Sequence, residues 1–147
     1  VIGHGPHILR GIEIYHNRPI FYSLGYFIFQ NDTIAHLPAD FYEKQGLGSE
    51  HTVVDALEKR SDNGKRGLGV NPDVWRSVVA RWEIQQGKLA KLELFPIDLG
   101  FNEPAYQRGW PRLTKDVSIL ENLRELSVAF GTEIVIEDGV GKVLLSR

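Results

Sequence analysis

The 147-residue sequence contains no cysteine and no methionine, not even at position 1, where the chain begins with Val1. Without cysteine there are no disulfide bonds, thiolate metal ligands or cysteine nucleophiles, so a metal site here would use histidine and carboxylate ligands. The missing initiator methionine leads us to expect a piece of a longer protein or a processed product.

The sequence also lacks strong charge and long apolar runs. A formal net charge of -2 supplies no basic field, so nucleic acid is not expected as a partner. No apolar run reaches the roughly 18 to 20 residues that cross a bilayer, and the N-terminus does not have the regions of a signal peptide. We therefore expect any membrane or export signal to lie outside these residues.

What is present indicates one folded domain. Hydrophobic residues make up 42% of the sequence, which is enough for a core, and the length allows one domain of ordinary size. Alternating patterns predict strands at residues 8–15, 74–84 and 89–96. A nearly continuous apolar run predicts a buried strand at residues 20–29, bent at Gly25.

Helices and turns complete the prediction. Short helices are predicted at residues 40–44 and 52–60, inside an irregular segment spanning residues 30–73. Residues 132–137 and 140–145 flank an Asp-Gly turn and predict a final hairpin. A longer helix is predicted to start after Thr114 and to stop at Gly131, with a buried stripe formed by Val117, Leu120, Leu123, Leu126 or Ser127, and Phe130.

The sharpest chemical motif is GHGPH at residues 3–7, which places His4 and His7 three residues apart at the end of a short strand. Two such imidazoles can converge on one metal ion or bridge two, provided that carboxylates from elsewhere complete the ligand shell. The alternative is a pair of polar loop histidines, and the spacing alone leaves both interpretations open.

Residues 4–29, HGPHILRGIEIYHNRPIFYSLGYFIF, closely resemble the C-terminal motif region of CapA-type proteins, the bacterial capsule and poly-γ-glutamate synthesis family. Several later stretches fit the same family in the same order, and residues 33–72 are the least diagnostic. These stretches are GKL at 87–89, LFPI at 94–97, RGWPRL at 108–113, LS at 126–127, FGT at 130–132 and IEDG at 136–139.

The resemblance implies an α/β (α+β) fold: the C-terminal part of a four-layered α/β/β/α sandwich similar to calcineurin-like metallophosphoesterases, with its N-terminal portion missing. By their match to the Gly-His-x-His type motif of that superfamily, His4 and His7 are implied to bind divalent manganese, zinc or iron, as a dinuclear centre in the full-length protein. The superfamily's other ligand motifs, Asp-x-His, Gly-Asp and Asn-His, do not occur here. Tyr26 occupies a position where the family usually has asparagine.

The function implied by the resemblance is capsule or poly-γ-glutamate synthesis or export, in an extracytoplasmic or membrane-associated setting. If the site is hydrolytic, two metals would activate a bridging water for attack on a phosphoester. The alternative is a non-catalytic accessory protein that binds an anionic polymer within a membrane-bound capsule synthesis complex.

Four charged residues are further candidates for substrate binding. Arg10 and Glu13 follow the histidine motif and could orient a substrate, whereas Arg108 and Arg112 could hold an anionic substrate with their planar guanidinium groups. The alternative for all four is an ordinary solvent-exposed charge.

Overall fold

The computed structural model describes residues 1–31 and 33–145. Its strands and α-helices are, in chain order, β1 (Ile12–Tyr15), β2 (Arg18–Phe21), α1 (Ala39–Lys44), α2 (Val53–Ser61), β3 (Arg76–Gln85), β4 (Lys88–Asp98), β5 (Arg112–Leu113), α3 (Ser118–Val128), β6 (Ile134–Glu137) and β7 (Val140–Val143). The strands form two antiparallel sheets, so the mixed α+β class expected from the sequence is confirmed.

The larger sheet has five strands in the order β3-β4-β7-β6, with β5 also paired to β4. Its two hairpins turn at Gln86-Gly87 and Asp138-Gly139, where all four residues have positive φ. This turn geometry matches the right-handed twist of the flanking strands, which explains why both hairpins were predictable from local sequence. The predicted strands at residues 74–84 and 89–96 correspond to β3 and β4.

The smaller sheet is the hairpin of β1 and β2, which carries the histidine motif at its edge. The first residues run parallel to β2, because the Phe21 N–H donates to the Val1 carbonyl (2.9 Å) and the Gly3 N–H donates to the Phe21 carbonyl (2.8 Å). The motif therefore follows a strand-like segment, as expected. The strand predicted at residues 8–15 is shorter than expected, since regular pairing begins only at Ile12.

Helix α3 joins the two sheets. Its residues Ile119, Leu120 and Leu123 are buried in one apolar cluster with side chains from both sheets. The buried Ser127 hydroxyl donates to the Leu123 carbonyl (2.7 Å) and accepts from the Ile12 N–H (3.1 Å), so it links the helix to β1. The position of the N-terminal hairpin is therefore fixed by α3.

The predicted stripe of this helix is correct at Leu120, Leu123 and Ser127, but Val117 and Phe130 are exposed. Both residues lie outside the helix bounds, so neither follows its face. The short helices predicted at residues 40–44 and 52–60 are confirmed as α1 and α2, and α2 begins with a capping box.

The strand predicted at residues 20–29 is wrong beyond Phe21, where β2 ends, but the predicted bend at Gly25 is confirmed. Gly25 has φ of +73° and turns the chain out of the sheet, and the side chains of Phe27 and Ile28 are exposed. Beyond Phe21, pairing is reduced to an isolated bridge between Leu9 and Leu24, and the Leu24 carbonyl accepts from the Ser77 hydroxyl (2.6 Å). The apolar run is therefore divided between the smaller sheet and a separate apolar cluster around Trp75, against which Tyr26 and Phe29 pack.

Candidate functional site

His4 and His7 lie in one tight turn, in which the His7 N–H donates to the His4 carbonyl (3.0 Å). His7 has φ of +63°, an uncommon conformation for a side-chain-bearing residue. Both imidazoles are exposed to solvent. The turn is placed by Gly3, whose backbone lies so close to Tyr22 that a Cβ there would be 2.5 Å from the Tyr22 carbonyl oxygen.

His4 has the arrangement typical of a metal-ligating histidine. Its Nδ1 lies 3.3 Å from the carbonyl oxygen of Gly25, which fixes the ring orientation when Nδ1 carries the proton and leaves Nε2 for another ligand. Histidines that bind metals commonly donate their second ring nitrogen to a backbone carbonyl in this way. This contact would leave the Nε2 atom of His4 available to another ligand.

Within the described residues, no third candidate ligand accompanies His4 and His7. Across residues 1–31 and 33–145, no group of three or more histidine or carboxylate side chains is placed to hold a metal ion. Because transition-metal sites need three or more protein ligands in most cases, the remaining ligands would have to come from other sequence.

His7 belongs to a continuous aromatic stack, formed by His7, Tyr26, Phe29 and Trp75. Its ring stacks on Tyr26 with centroids 5.0 Å apart, Tyr26 stacks on Phe29 at 4.8 Å, and Phe29 meets the Trp75 ring edge to face at 4.9 Å. Burial raises the pKa of the Tyr26 hydroxyl above its ordinary value. Tyr26 therefore supports one face of His7.

Arg10 and Glu13 do not share one cluster. Glu13 accepts a hydrogen bond from the Tyr22 hydroxyl (2.5 Å), which raises the pKa of Tyr22, and the Tyr22 ring stacks on Phe130. Arg10 instead lines a cavity against the opposite part of α3, near Asn122. The two residues proposed to orient one substrate are thus directed to different surroundings.

Arg108 lies on the loop between β4 and β5, Arg112 is the first residue of β5, and each has a partner. The Arg108 guanidinium lies 5.4 Å from the centroid of the Trp75 ring, at the end of the aromatic stack. Arg112 is paired with Glu103 at 3.5 Å and donates to the Gln107 carbonyl (3.2 Å). The stack consequently connects the histidine motif to the arginine loop.

This connection could not be predicted from the sequence, because the stacking of Phe29 on Tyr26 and Trp75 depends on tertiary packing. The only local signal was Tyr26, the departure from the asparagine usual at that position.

Comparisons with known proteins match the segment that carries this geometry. Residues 1–31 match the family model described as "Bacterial capsule synthesis protein PGA_cap". The protein is 31% identical over 98 residues to the "PGA biosynthesis protein CapA" of Bacillus subtilis strain 168, a match that covers 60% of this chain and 26% of that protein. These matches support a relationship to CapA-like capsule proteins.

Two relatives match over nearly the whole chain. "Uncharacterized protein y4sH" and "Uncharacterized protein y4uA" of Sinorhizobium fredii strain NBRC 101917 / NGR234 are each 43% identical over an alignment of 154 positions that covers 98% of this chain. The chain spans about a third of the length of these relatives (33%). Among the described residues, no helix combines the length and apolar character that a membrane span requires.

Proposed function

We propose that this protein is a CapA-like component of bacterial capsule or poly-γ-glutamate synthesis or export, in which His4 and His7 supply two ligands of a divalent-metal site. The observation that carries the proposal is the hydrogen-bonded pair of His4 Nδ1 and the Gly25 carbonyl, within the 31 residues that match the capsule-synthesis family model. Residues 1–147 would then be the C-terminal portion of one metallophosphoesterase-like domain in an extracytoplasmic or membrane-associated protein.

The chemistry of such a site follows from its ligands. Bound manganese, zinc or iron would lower the pKa of a coordinated water and polarise a phosphoester oxygen. The contribution of this chain is orientation: the Gly25 carbonyl holds the His4 ring, and Tyr26 restricts the His7 ring by stacking. The exposed edges of both imidazoles leave their free nitrogens accessible to an ion.

A metal titration of the full-length protein tests this proposal. Isothermal titration calorimetry with Mn²⁺ or Zn²⁺ would compare the parent protein with the double variant His4→Ala and His7→Ala. Loss of a residue that only orients a metal ligand lowers metal affinity by about 10- to 100-fold. Because the double variant removes two ligands, we expect its metal affinity to fall by more than this. His36→Ala, which removes an exposed loop histidine, is the matched control and should leave binding unchanged.

Failure to bind either ion tightly, or equal binding by the parent and the double variant, would contradict the metal-site proposal. Hydrolysis of a phosphoester by the metal-loaded protein, lost in the same double variant, would extend it to catalysis.

A second candidate function is a non-catalytic role in which the arginine loop binds an anionic polymer within a membrane-bound synthesis complex. Two observations favour it: Tyr26 stands in place of the family's usual asparagine, and the half-buried Arg108 and the exposed Arg112 lie four residues apart, in the loop before β5 and at the start of β5. Titration with poly-γ-glutamate in the presence of a chelator separates the two functions. Salt-sensitive binding that survives chelation and is weakened by Arg112→Gln would support the polymer role, whereas no binding would refute it.

A further inference from the structure

A cavity of about 110 Å³ lies where the loop before β1, the 3₁₀ turn Pro72–Trp75 and helix α3 meet. Its apolar lining comes from Ile8, Leu9, Ile119 and Leu126. Its polar lining consists of two arginines, a carboxylate and an amide, namely Arg10, Arg76, Asp73 and Asn122. Sequence analysis singled out only Arg10 of this group.

The backbone fixes the positions of these side chains. The Arg10 N–H donates to the carbonyl of the buried Ser23 (3.0 Å). Asp73 lies in the 3₁₀ turn, and Arg76 follows the turn directly as the first residue of β3. Asn122 follows Ile119 by three residues and so projects from the same face of α3. The cavity is therefore built by three elements that the core holds together.

The polar side chains that line this cavity are not paired with one another: Arg10, Asp73 and Asn122 are exposed, and Arg76 is half-buried. Within residues 1–31 and 33–145, no ion pair within 4.0 Å and no side-chain hydrogen bond joins Arg10, Asp73, Arg76 or Asn122 to another group. At longer range, the pKa of Asp116 is lowered mainly by hydrogen bonds from Ser118 and, to a lesser extent, by the charge of Arg76. Two guanidinium groups thus face one cavity without a bound carboxylate.

We propose that this cavity is an oxyanion-binding subsite, in which Arg10 and Arg76 bind a carboxylate or phosphate group and the Asn122 amide donates a further hydrogen bond. Guanidinium groups match the geometry of these anions with two parallel donors. The apolar lining removes part of the surrounding water and strengthens the attraction. Because Asp73 adds a negative charge, the subsite favours a singly charged carboxylate over a phosphate dianion.

The subsite is separate from the two histidines. Gly25 contacts both regions: its carbonyl oxygen lies against the His4 ring, and a Cβ at Gly25 would lie 3.0 Å from the Arg76 carbonyl oxygen. Neither histidine lines the cavity. The anion proposal does not rest on metal binding, so either can fail without the other.

NMR titration of the ¹⁵N-labelled chain with sodium propionate, and separately with inorganic phosphate, tests the subsite at pH 7 and constant ionic strength. We expect saturable shifts of the Asn122 side-chain amide and of the backbone around Arg10. Arg10→Gln and Arg76→Gln should each weaken binding by about tenfold or more, the amount expected for a charged hydrogen bond. Asp73→Asn should tighten phosphate binding more than propionate binding.

Arg124→Gln is the control, because it removes an exposed arginine of α3 that lies outside the cavity. If a glutamine variant does not fold, Arg10→Lys or Arg76→Lys replaces it; the charge is kept and the paired donors are lost, so an intermediate affinity is expected. The proposal is overturned if neither anion gives saturable shifts at the cavity, or if Arg124→Gln weakens binding as much as the cavity variants.

Discussion

Substitution of Gly109 by alanine should disconnect the arginine loop from the aromatic stack. Gly109 has φ of +85°, and its N–H donates to the Leu99 carbonyl (2.6 Å) while its own carbonyl accepts from the Phe29 N–H (3.0 Å). A Cβ at this position would lie 2.1 Å from the Phe29 carbonyl oxygen, a distance that no side chain tolerates. The loop must therefore move away from Phe29 to accept an alanine.

The expected cost has two parts. The left-handed conformation costs an alanine about 1–2 kcal/mol wherever it occurs. Moving the loop by the distance that the contact requires breaks both backbone hydrogen bonds of Gly109, which adds about 1–3 kcal/mol at about 0.5–1.5 kcal/mol each. Gly109→Ala should therefore lower the free energy of unfolding by about 2–5 kcal/mol.

Gly139→Ala is a matched control, since Gly139 has nearly the same φ of +77° but no atom within 4 Å of its Cβ position. It should cost only the conformational part, about 1–2 kcal/mol. Urea denaturation followed by tryptophan fluorescence, to which Trp75 contributes, would measure both variants. Equal free energies of unfolding for the two variants would refute the close approach of Gly109 and Phe29.

Two further predictions concern helix α3. Ser127→Ala should lower the free energy of unfolding by about 1–3 kcal/mol, because it leaves the buried Ile12 N–H without an acceptor, and faster hydrogen exchange of that amide would be the specific sign. Hydrogen bonds from Ser118, and secondarily the charge of Arg76, lower the pKa of Asp116 below its ordinary 3.8. The ionised Asp116 carboxylate therefore stabilises the folded state above pH 3.8, and this stabilisation is lost as the pH falls through the pKa of the folded state. Unfolding measured from pH 2 to 6 should show a difference between the parent and Asp116→Asn that shrinks towards low pH, and a constant difference would contradict this.

The sequence correctly predicted the secondary-structure elements that are determined by contacts between neighbouring residues. The hairpins of the larger sheet follow from alternation on either side of two-residue turns, and the capping box at Thr52 and Asp55 marks the start of α2. The histidine motif was also visible, because its residues are adjacent in sequence. In each case the necessary contacts lie within a few residues.

The errors occur where distant residues decide the structure. Residues 20–29 have the composition of a buried strand, but the chain bends at Gly25, and Tyr26 and Phe29 pack on Trp75. No periodicity within the run distinguishes that packing from strand pairing, because the run is apolar at nearly every position. The bend at Gly25 was predicted from the sequence, but the path of the chain around it depends on distant partners such as the Ser77 hydroxyl, which donates to the Leu24 carbonyl.

The same reasoning explains why the candidate anion cavity could not be found from the sequence. Arg10, Arg76 and Asn122 lie on three elements far apart in the chain, and each alone has the appearance of an ordinary surface residue. Their convergence depends on the core that holds α3 against both sheets, through Leu120 and the Ser127 hydroxyl. Loss of the Ser127 hydrogen bond should thus loosen the contact between β1 and α3 and weaken anion binding, while His4 keeps its contact with Gly25, which involves neither element.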